Sequence, residues 1–318
     1  MSAFTPASAG VVVALVAALA AVLTAGFGIV RIPRKRAARA AAWALVIASV
    51  VFAERATAAE PAGIRMLAVI GLLLYAMKAV VGVESATSLS PLRWFAFAAL
   101  WPGMRPTLFA DSKPVGEGAW ALVGKGVVRI AIGAGFLIAG RVVWSTTGSL
   151  AGATALVLPG ISLVLHFGLF NIAAGAWRAL GIDADSLFRA PLLSTTLKEF
   201  WGRRWNLAFS EMTAAGVYRP VSGLAGRRAG IAAAFLASGL LHELAISGPV
   251  KAGFGLPLLY FAIHAVAMLV EPRLPLERHP WLGRAWTTAW LLLPLPLLFH
   301  PAFLRGVVWP LTGIDAPQ

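Results

Sequence analysis

The chain contains no cysteine and is poor in charged residues. Asp, Glu, Lys and Arg make up 13% of its 318 residues, whereas hydrophobic residues make up 59%. The absence of cysteine excludes disulfide bonds, thiolate nucleophiles and thiolate metal ligands. Apolar content this high and charge this low are unusual for a soluble domain and are typical of a membrane protein.

Several catalytic signatures are also missing. The residue four positions after His242 is Ile246, so the zinc motif H-E-x-x-H is absent, and the sequence contains no G-x-S-x-G nucleophile elbow. It contains neither the HHxxxDG signature of soluble-type acyltransferases nor a glycine-rich phosphate loop. The sequence therefore predicts chemistry without a bound metal and without a cofactor.

Acidic residues are scarce beside basic ones, with 13 Asp and Glu against 27 Lys and Arg and a formal net charge of +14. Nucleic-acid binding would explain such an excess, but the basic residues lie between apolar runs of about the length that crosses a bilayer. The predicted spans are roughly 9–30, 40–57, 64–83, 120–144, 152–176, 230–247, 254–270 and 285–304. We expect one all-α membrane domain over 1–318, with about eight transmembrane helices and the first run retained.

The basic residues are also distributed unevenly between the two sides of this predicted bundle. If the cluster that begins at Arg31 is cytoplasmic, 19 Lys and Arg lie on that side and 4 on the other. Such a bias is the usual signature of cytoplasmic loops. It predicts that the loop 177–229 is cytoplasmic, that the basic side meets anionic membrane lipids, and that nucleic acid is not a partner.

Two segments are predicted to lie at the membrane without crossing it. The stretch 90–114 is apolar, too short to cross and interrupted by Pro102 and Pro106, which indicates a re-entrant or interfacial segment with Trp94 and Trp101 at the headgroup boundary. The second is a helix from Thr196 to about Met212, because Thr196-x-x-Glu199 matches a capping box. Its predicted apolar face is Leu197, Trp201, Trp205, Ala208 and Met212, and its predicted polar face is Glu199, Arg203, Asn206 and Ser210.

His242 is the strongest candidate for chemistry. It lies about 12 residues into a predicted span, about 18 Å deep at 1.5 Å per residue, where an ionisable side chain usually has a function. Ser238 precedes it by one helical turn and is placed to fix the imidazole, whereas Glu243 is rotated by about 100° and needs another partner. The plainer interpretation is a hydrogen-bonded packing histidine, which the neighbouring polar residues make less favourable.

The sequence EFWGRRWN at 199–206, followed by FLASGLLHEL at 235–244, resembles the wax synthase branch of the membrane-bound O-acyltransferase superfamily. The short piece SLSPLRW at 88–94 adds to the resemblance. The resemblance implies that His242 and Asn206 form the active site of an acyl-CoA-dependent O-acyltransferase with an MBOAT-like fold.

The residue types suit that chemistry independently. An imidazole is a natural base for the hydroxyl that attacks a thioester, and a side-chain amide such as that of Asn206 stabilises or orients the reacting carbonyl. Arg203 and Arg204 suit the phosphates of CoA and Trp201 or Trp205 its adenine, although lipid headgroups and the membrane interface explain the same residues equally well. His166 is a weaker candidate for a substrate tunnel, with structural hydrogen bonding as the simpler explanation.

We therefore expect transfer of an acyl group from acyl-CoA to a lipophilic alcohol, with His242 as general base and no acyl-enzyme. The substrate-binding candidates are Glu199, Trp201, Arg203, Arg204, Trp205, Ser238, Glu243 and His166. A sugar, sterol or terpenoid acceptor stays open, as does a transporter with a His/Glu proton relay. Composition favours a bacterial cytoplasmic membrane, and the sequence sets no oligomeric state.

Overall fold

The computed structural model describes residues 3–85, 87–111, 116–274, 276 and 279–314. Within these ranges the chain is helical and forms no β-strand. Among the described residues, seven helices are long and apolar enough to cross a membrane. They are Ala9–Ile29, Lys35–Ala56, Ala62–Ser85, Ala119–Thr147, Leu150–Ala179, Leu207–Val250 and Leu256–Arg273. The prediction of an all-α, multi-pass membrane protein is confirmed.

The eighth predicted span, 285–304, is not one straight helix. Pro280–Leu298 and Pro301–Leu311 meet at an angle of 66°, so the pair is either a broken span or a re-entrant loop. Pro301 lacks the N–H group that a continuing helix needs, and His300 has an extended backbone with φ −68° and ψ 158°. Apolar content alone did not reveal this bend.

The helix Ala62–Ser85 is the centre of the bundle, since 67% of its most apolar stretch is buried inside the protein. The first two helices pack against it, and most of their other surface faces outward. The hairpin Ala119–Thr147 with Leu150–Ala179 is held closely by small residues. A Cβ on Gly126 or Gly133 would lie 2.6 or 2.8 Å from the side chain of Ile172 or Val164.

The segment 90–114 contains a ten-residue helix, Pro91–Leu100, which is too short to cross a membrane. Ser90 caps its start by accepting a hydrogen bond from the Arg93 backbone N–H. Trp94 and Trp101, which were predicted at the headgroup boundary, are each only 2% exposed and pack in the main core, so neither ring is open to lipid headgroups. Residues 112–115 of this segment lie outside the described residues.

Lys78 fixes this short helix to the central one. Its ammonium group is fully buried and donates to the carbonyl oxygens of Phe97 at 3.2 Å, of Trp101 at 2.6 Å and of Gly103 at 2.6 Å. The charge also lies 4.1 Å from the centre of the Phe97 ring. Three acceptors at the end of a helix are what a buried ammonium requires, because it has three donors and a helix C-terminus is electronegative.

We expect Lys78→Met to destabilise the protein strongly. Each buried carbonyl oxygen left without a donor costs about 1–3 kcal/mol, and the short helix would lose its attachment. The measurement is the midpoint of thermal unfolding of the protein in detergent, with Lys125→Met as the control, because Lys125 is exposed on its helix. Equal midpoints for the two variants would contradict this role.

Candidate active site

His242 lies at the end of the helix Arg219–His242, where the chain changes to a wider helical turn over Glu243–Ser247. Its Nδ1 atom is 2.7 Å from the backbone carbonyl oxygen of Ser238. Because a carbonyl only accepts, Nδ1 carries the proton, and in the neutral ring Nε2 is then the atom with a free lone pair. The Ser238 hydroxyl donates to the Ala234 carbonyl instead, so Ser238 fixes the ring through its backbone.

Two aromatic rings enclose the imidazole. The ring centre of Phe261 lies 4.3 Å from that of His242, and the ring centre of Phe209 lies 5.5 Å away at a steep angle. Within the described chain, Nε2 of His242 makes no hydrogen bond and is not fully buried. Nε2 of His264, by contrast, is fully buried. The fold therefore holds one nitrogen of His242 and leaves the other available in apolar surroundings.

Asn206 begins the helix Leu207–Thr213 with its backbone in the left-handed region, at φ 43°. Its Oδ1 atom accepts a hydrogen bond of 3.2 Å from the Phe209 backbone N–H. Asparagine is favoured in both roles, as a helix cap and as a left-handed residue. Oδ1 is thereby engaged, and the NH₂ group of Asn206, a pure donor, remains for a ligand.

Phe209 connects the two candidate catalytic residues. Its backbone N–H is held by Asn206, and its ring contacts His242. The described residues contain no direct hydrogen bond between Asn206 and His242. Phe209 is thus in contact with Asn206 through its backbone and with His242 through its ring.

The predicted continuous helix from Thr196 to Met212 was wrong. Helical structure covers Leu197–Glu199 and a wider turn Phe200–Arg204, then stops at Trp205, and resumes at Leu207. The left-handed backbone of Asn206 breaks the helix, and the Leu207 N–H donates to the Leu187 carbonyl at 2.9 Å. The two predicted faces therefore do not continue past Arg204.

The capping box at the start of this segment forms only in part. The Thr196 hydroxyl accepts from the Glu199 N–H at 3.0 Å, but the Glu199 carboxylate accepts from the Thr195 N–H at 2.9 Å. Glu199 also forms an ion pair of 2.7 Å with Arg204. Partial burial raises the pKa of Glu199, but the hydrogen bonds from Thr195 and the charge of Arg204 outweigh it and hold the pKa below its usual value.

The two predicted CoA-binding arginines differ in the structure. Besides its ion pair with Glu199, Arg204 donates to the carbonyl oxygens of Arg189 and Ala190 at 3.2 and 3.3 Å, so its guanidinium group is engaged within the fold. Arg203 is exposed. Neither residue lines the cavity of about 630 Å³ that lies beside the helix Leu207–Thr213.

The two tryptophans of the motif pack inside the protein. Trp205 stacks on Phe200 with ring centres 5.5 Å apart and meets Phe188 edge-on at 4.9 Å. Trp201 packs against Phe261 at 5.7 Å and His264 at 5.5 Å. These contacts place both partly buried rings in an aromatic cluster beside the site, and Phe200 covers one face of Trp205.

His166 belongs to the same aromatic wall. Its Nδ1 atom is 3.1 Å from the Ser162 hydroxyl, and its ring stacks on Phe188 at 4.7 Å and approaches Trp205 at 5.8 Å. It therefore packs beside the segment that carries Asn206. The structure gives it hydrogen-bonding and packing contacts and brings it into no contact with His242 among the described residues.

Among the described residues, Glu243 forms no ion pair with a cation. Its Oε1 atom accepts from the backbone N–H groups of Gly255 at 2.8 Å and Leu258 at 3.0 Å, at the start of the helix Leu256–Val270. Negative charge is favoured at that end of a helix. No hydrogen bond joins Glu243 to His242 in the described ranges, so the two residues form no direct proton relay there.

A polar cavity of about 630 Å³ lies beside the helix Leu207–Thr213. We name it the polar cavity, and its lining residues are Val81, Glu84, Ser85, Met104, Arg105, Pro106, Thr107, Gly202, Leu207, Ser210, Glu211, Ala214, Ala215 and Arg219. Arg105 forms an ion pair of 2.6 Å with Glu211. The same short helix that contacts His242 through Phe209 thus lines the polar cavity through Ser210 and Glu211.

Sequence reasoning missed the two rings beside His242 and the charged residues of the polar cavity. One feature of the sequence pointed to Phe209: it stands three residues after Asn206, where a helix-capping side chain finds its N–H partner. No feature of the sequence pointed to Phe261 or Arg105, because each meets the site only through the tertiary fold.

Comparison with known proteins covers the part of the chain that holds this site. Residues 184–262 match the membrane bound O-acyl transferase family. A probable long-chain-alcohol O-fatty-acyltransferase 9 of Arabidopsis thaliana is 34% identical, over 40% of this chain and 42% of its own length. A probable long-chain-alcohol O-fatty-acyltransferase 2 of the same plant is 33% identical, over 48% of this chain and 49% of its own length.

The long-chain-alcohol O-fatty-acyltransferase of Simmondsia chinensis is 34% identical, over 29% of each chain. The chain thus matches at most about half the length of these three relatives. All three are plant proteins and give no support to the expectation of a bacterial membrane. The segment 184–262, which holds both His242 and Asn206, thus matches the membrane bound O-acyl transferase family, and the chain is similar to plant long-chain-alcohol O-fatty-acyltransferases.

Proposed function

We propose that the protein transfers an acyl group from acyl-CoA to the hydroxyl group of a lipophilic alcohol. The observation that carries the proposal is the state of His242, whose Nδ1 atom is held by the Ser238 carbonyl while Nε2 is available among aromatic rings. A neutral imidazole held in this way is a base that points one lone pair at a ligand. Its place in a segment of this family supports the same reaction.

In the proposed step, Nε2 of His242 takes the hydroxyl proton as the alcohol oxygen attacks the thioester carbonyl. A carbon–oxygen bond forms, the carbon–sulfur bond breaks, and the proton passes from His242 to the sulfur of the departing CoA. The NH₂ group of Asn206 donates to the carbonyl oxygen as negative charge develops there. No group of the protein becomes acylated, because the thioester is already activated for direct attack.

Apolar surroundings favour a lipophilic acceptor. Phe209 and Phe261 flank the imidazole, and a ring of aromatic residues surrounds the Asn206 segment. Such walls bind an alkyl chain and offer few partners to a sugar with several hydroxyl groups. The names of the plant relatives, which refer to long-chain alcohols and fatty acyl groups, agree with this acceptor.

We place the polar part of acyl-CoA in the polar cavity. Arg105 and Arg219 supply positive charge there, and Ser85, Thr107 and Ser210 supply hydroxyl groups. Arginine matches the geometry of phosphate groups. Arg204 is held by Glu199 and two backbone carbonyls. Arg105, in contrast, has the single described partner Glu211 and lines the cavity, as does Arg219. We propose that this cavity and the loop 177–229 face the cytoplasm, which is also the side that the distribution of Lys and Arg favours.

We expect Arg105→Gln to raise the KM for acyl-CoA about tenfold, because a hydrogen bond to a charged group contributes about 1.5–3 kcal/mol, while kcat changes little. Initial rates at varied acyl-CoA and saturating alcohol provide the measurement. Arg203→Gln is the comparison, since Arg203 is exposed and lies outside the polar cavity. A larger rise in KM for Arg203→Gln would contradict this location of CoA.

The experiment that tests the function supplies membranes containing the protein with labelled acyl-CoA and, in separate reactions, a long-chain alcohol, a sterol, a terpenoid alcohol, diacylglycerol and a sugar. The proposal predicts labelled ester with the long-chain alcohol above all other acceptors. Ester formed only on the sugar would overturn the lipophilic acceptor. Absence of labelled ester with every acceptor would overturn the reaction itself.

A further inference from the structure

The helix Leu256–Val270, which we name the bridging helix, contacts both halves of the candidate active site, the His242 helix and the segment that leads to Asn206. The ring centre of its Phe261 lies 4.3 Å from that of His242 and 5.7 Å from that of Trp201. One ring thus touches both the candidate base and the segment that leads to Asn206. A shift of the bridging helix relative to either half would change the distance between them.

The start of the bridging helix is fixed to the His242 helix. Glu243, the residue after His242, accepts hydrogen bonds from the N–H groups of Gly255 and Leu258 at this end. The carboxylate of Glu243 is buried, so these charge-assisted bonds form away from water and are strong.

The far end of the bridging helix is fixed to the Asn206 segment by another carboxylate. Glu271 follows Val270 directly and is 5% exposed. It accepts hydrogen bonds from the backbone N–H groups of Leu197 at 2.5 Å and Lys198 at 3.2 Å, and from Trp286 Nε1 at 3.3 Å. Leu197 and Lys198 begin the segment that carries Trp201 and leads to Asn206, so Glu271 holds that segment at its first turn.

We propose that Glu271 is a positioning residue that sets the place of the Asn206 segment relative to His242. Glu243 and Glu271 act at opposite ends of the bridging helix, and Phe261 lies between them. Glu271 stands outside the residues that match the family, 184–262. Its effect on turnover rests on the proposed function, whereas its effect on the position of the segment does not.

The expected consequence concerns kcat rather than the binding of acyl-CoA. Without Glu271, the N–H groups of Leu197 and Lys198 lose their buried acceptor, and the segment with Asn206 moves away from His242. A displacement of about 1 Å in a reacting geometry costs up to about 100-fold in rate. Arg105 lies on a different segment from Leu197 and Lys198 and has no hydrogen bond to Glu271 among the described residues, so Glu271 does not hold this cation of the polar cavity directly.

The first test measures turnover per folded molecule. We expect Glu271→Gln to lower kcat about 10-fold and Glu271→Ala about 100-fold, with the KM for acyl-CoA changing less than about threefold. Glutamine preserves one acceptor oxygen and should therefore rescue part of the alanine loss. The control is Glu60→Gln, because Glu60 is also buried and accepts a backbone N–H, that of Ala7 at 2.8 Å, but makes no described contact with the site.

The second test needs no turnover and uses the absence of cysteine in the chain. A spin label on Lys198→Cys reports the order of the segment that Glu271 holds, because the Lys198 side chain is exposed while its N–H donates to Glu271. A label on Leu236→Cys is the reference, because Leu236 is an exposed position of the helix that carries His242, after the non-helical Gly226. Glu271→Gln should increase the mobility of the label at 198 and leave that at 236 unchanged.

The outcomes separate the two hypotheses. A label at 198 that is equally ordered in the wild type and in Glu271→Gln overturns the positioning role, as does a kcat loss no larger than that of Glu60→Gln. If no acceptor is turned over by the wild type, the proposed function fails, and the mobility at 198 alone decides on Glu271.

Discussion

Replacing His242 with glutamine is expected to lower kcat for ester formation by about 10²–10⁴, the range that a positioned general base contributes. Glutamine has nearly the length of histidine and keeps polar atoms, but its amide does not accept a proton at neutral pH. The Ser238 carbonyl would still meet a donor, so the helix loses little. The measurement is the rate of labelled ester formation per folded molecule at saturating acyl-CoA and alcohol.

The matched control is His300→Gln. His300 is also buried, but its Nδ1 accepts from the Phe303 N–H at 3.3 Å and its Nε2 lies 3.4 Å from the Ser247 hydroxyl. Both nitrogens therefore have structural partners, and we expect the variant to lose stability while each folded molecule keeps its kcat. Equal kcat values for the two glutamine variants would remove His242 from the proposed mechanism.

Replacing Asn206 with aspartate is expected to lower kcat by about 10²–10³, which is the cost of removing one donor to a developing oxyanion. Aspartate retains the cap, because its carboxylate accepts from the Phe209 N–H, and it tolerates the left-handed backbone. The protein should therefore fold normally. What disappears is the NH₂ group, and a negative charge takes its place near the reacting carbonyl.

Asn206→Gly removes the NH₂ donor without introducing a negative charge, so it separates these two effects of the aspartate variant. Glycine adopts φ 43° without strain and a helix cap of glycine costs only a few tenths of a kcal/mol relative to asparagine, so the helix Leu207–Thr213 should still form. We expect the glycine variant to lose kcat as the aspartate variant does. Near-wild-type rates in both folded variants would show that Asn206 acts only as a cap.

His242 and Asn206 stand out in the sequence as candidates for chemistry, and their catalytic roles stay a prediction. An ionisable His242 deep in an apolar run is costly unless it functions or is satisfied, and that cost makes it conspicuous from the sequence alone. Asn206 was placed in the site by resemblance to a family motif, and the structure adds its left-handed backbone and its cap. The multi-pass helical fold followed from apolar runs of sufficient length.

The break in the helix at Trp205 and the hydrogen bonds of Glu271 to a distant segment were not predictable from the sequence. The helix that Thr196 begins stops at Trp205, partly because the Leu207 N–H finds the Leu187 carbonyl, a partner twenty residues away. Helical periodicity describes only neighbours along one helix and contains no information on such a contact. Glu271 escaped attention for the same reason, since its partners Leu197 and Lys198 lie more than seventy residues earlier.

The sequence shows where charged residues stand, but not which of them already have partners in the fold. Arg203 and Arg204 stand together in the motif, yet the guanidinium group of Arg204 is used by Glu199 and by two backbone carbonyls. Arg105 stands alone in an apolar segment far from the motif, and only the fold brings it to the polar cavity with Glu211. A charged residue becomes a binding candidate only when its existing partners are known.

The central claim is that the alcohol receives the acyl group directly from acyl-CoA beside His242. The most direct measurement is a rapid-quench reaction in which the protein first meets labelled acyl-CoA alone and then the long-chain alcohol. The account predicts no label on the denatured protein and no release of CoA before the alcohol is added, followed by ester and free CoA in equal amounts. Label bound covalently to the protein before the alcohol arrives would contradict it.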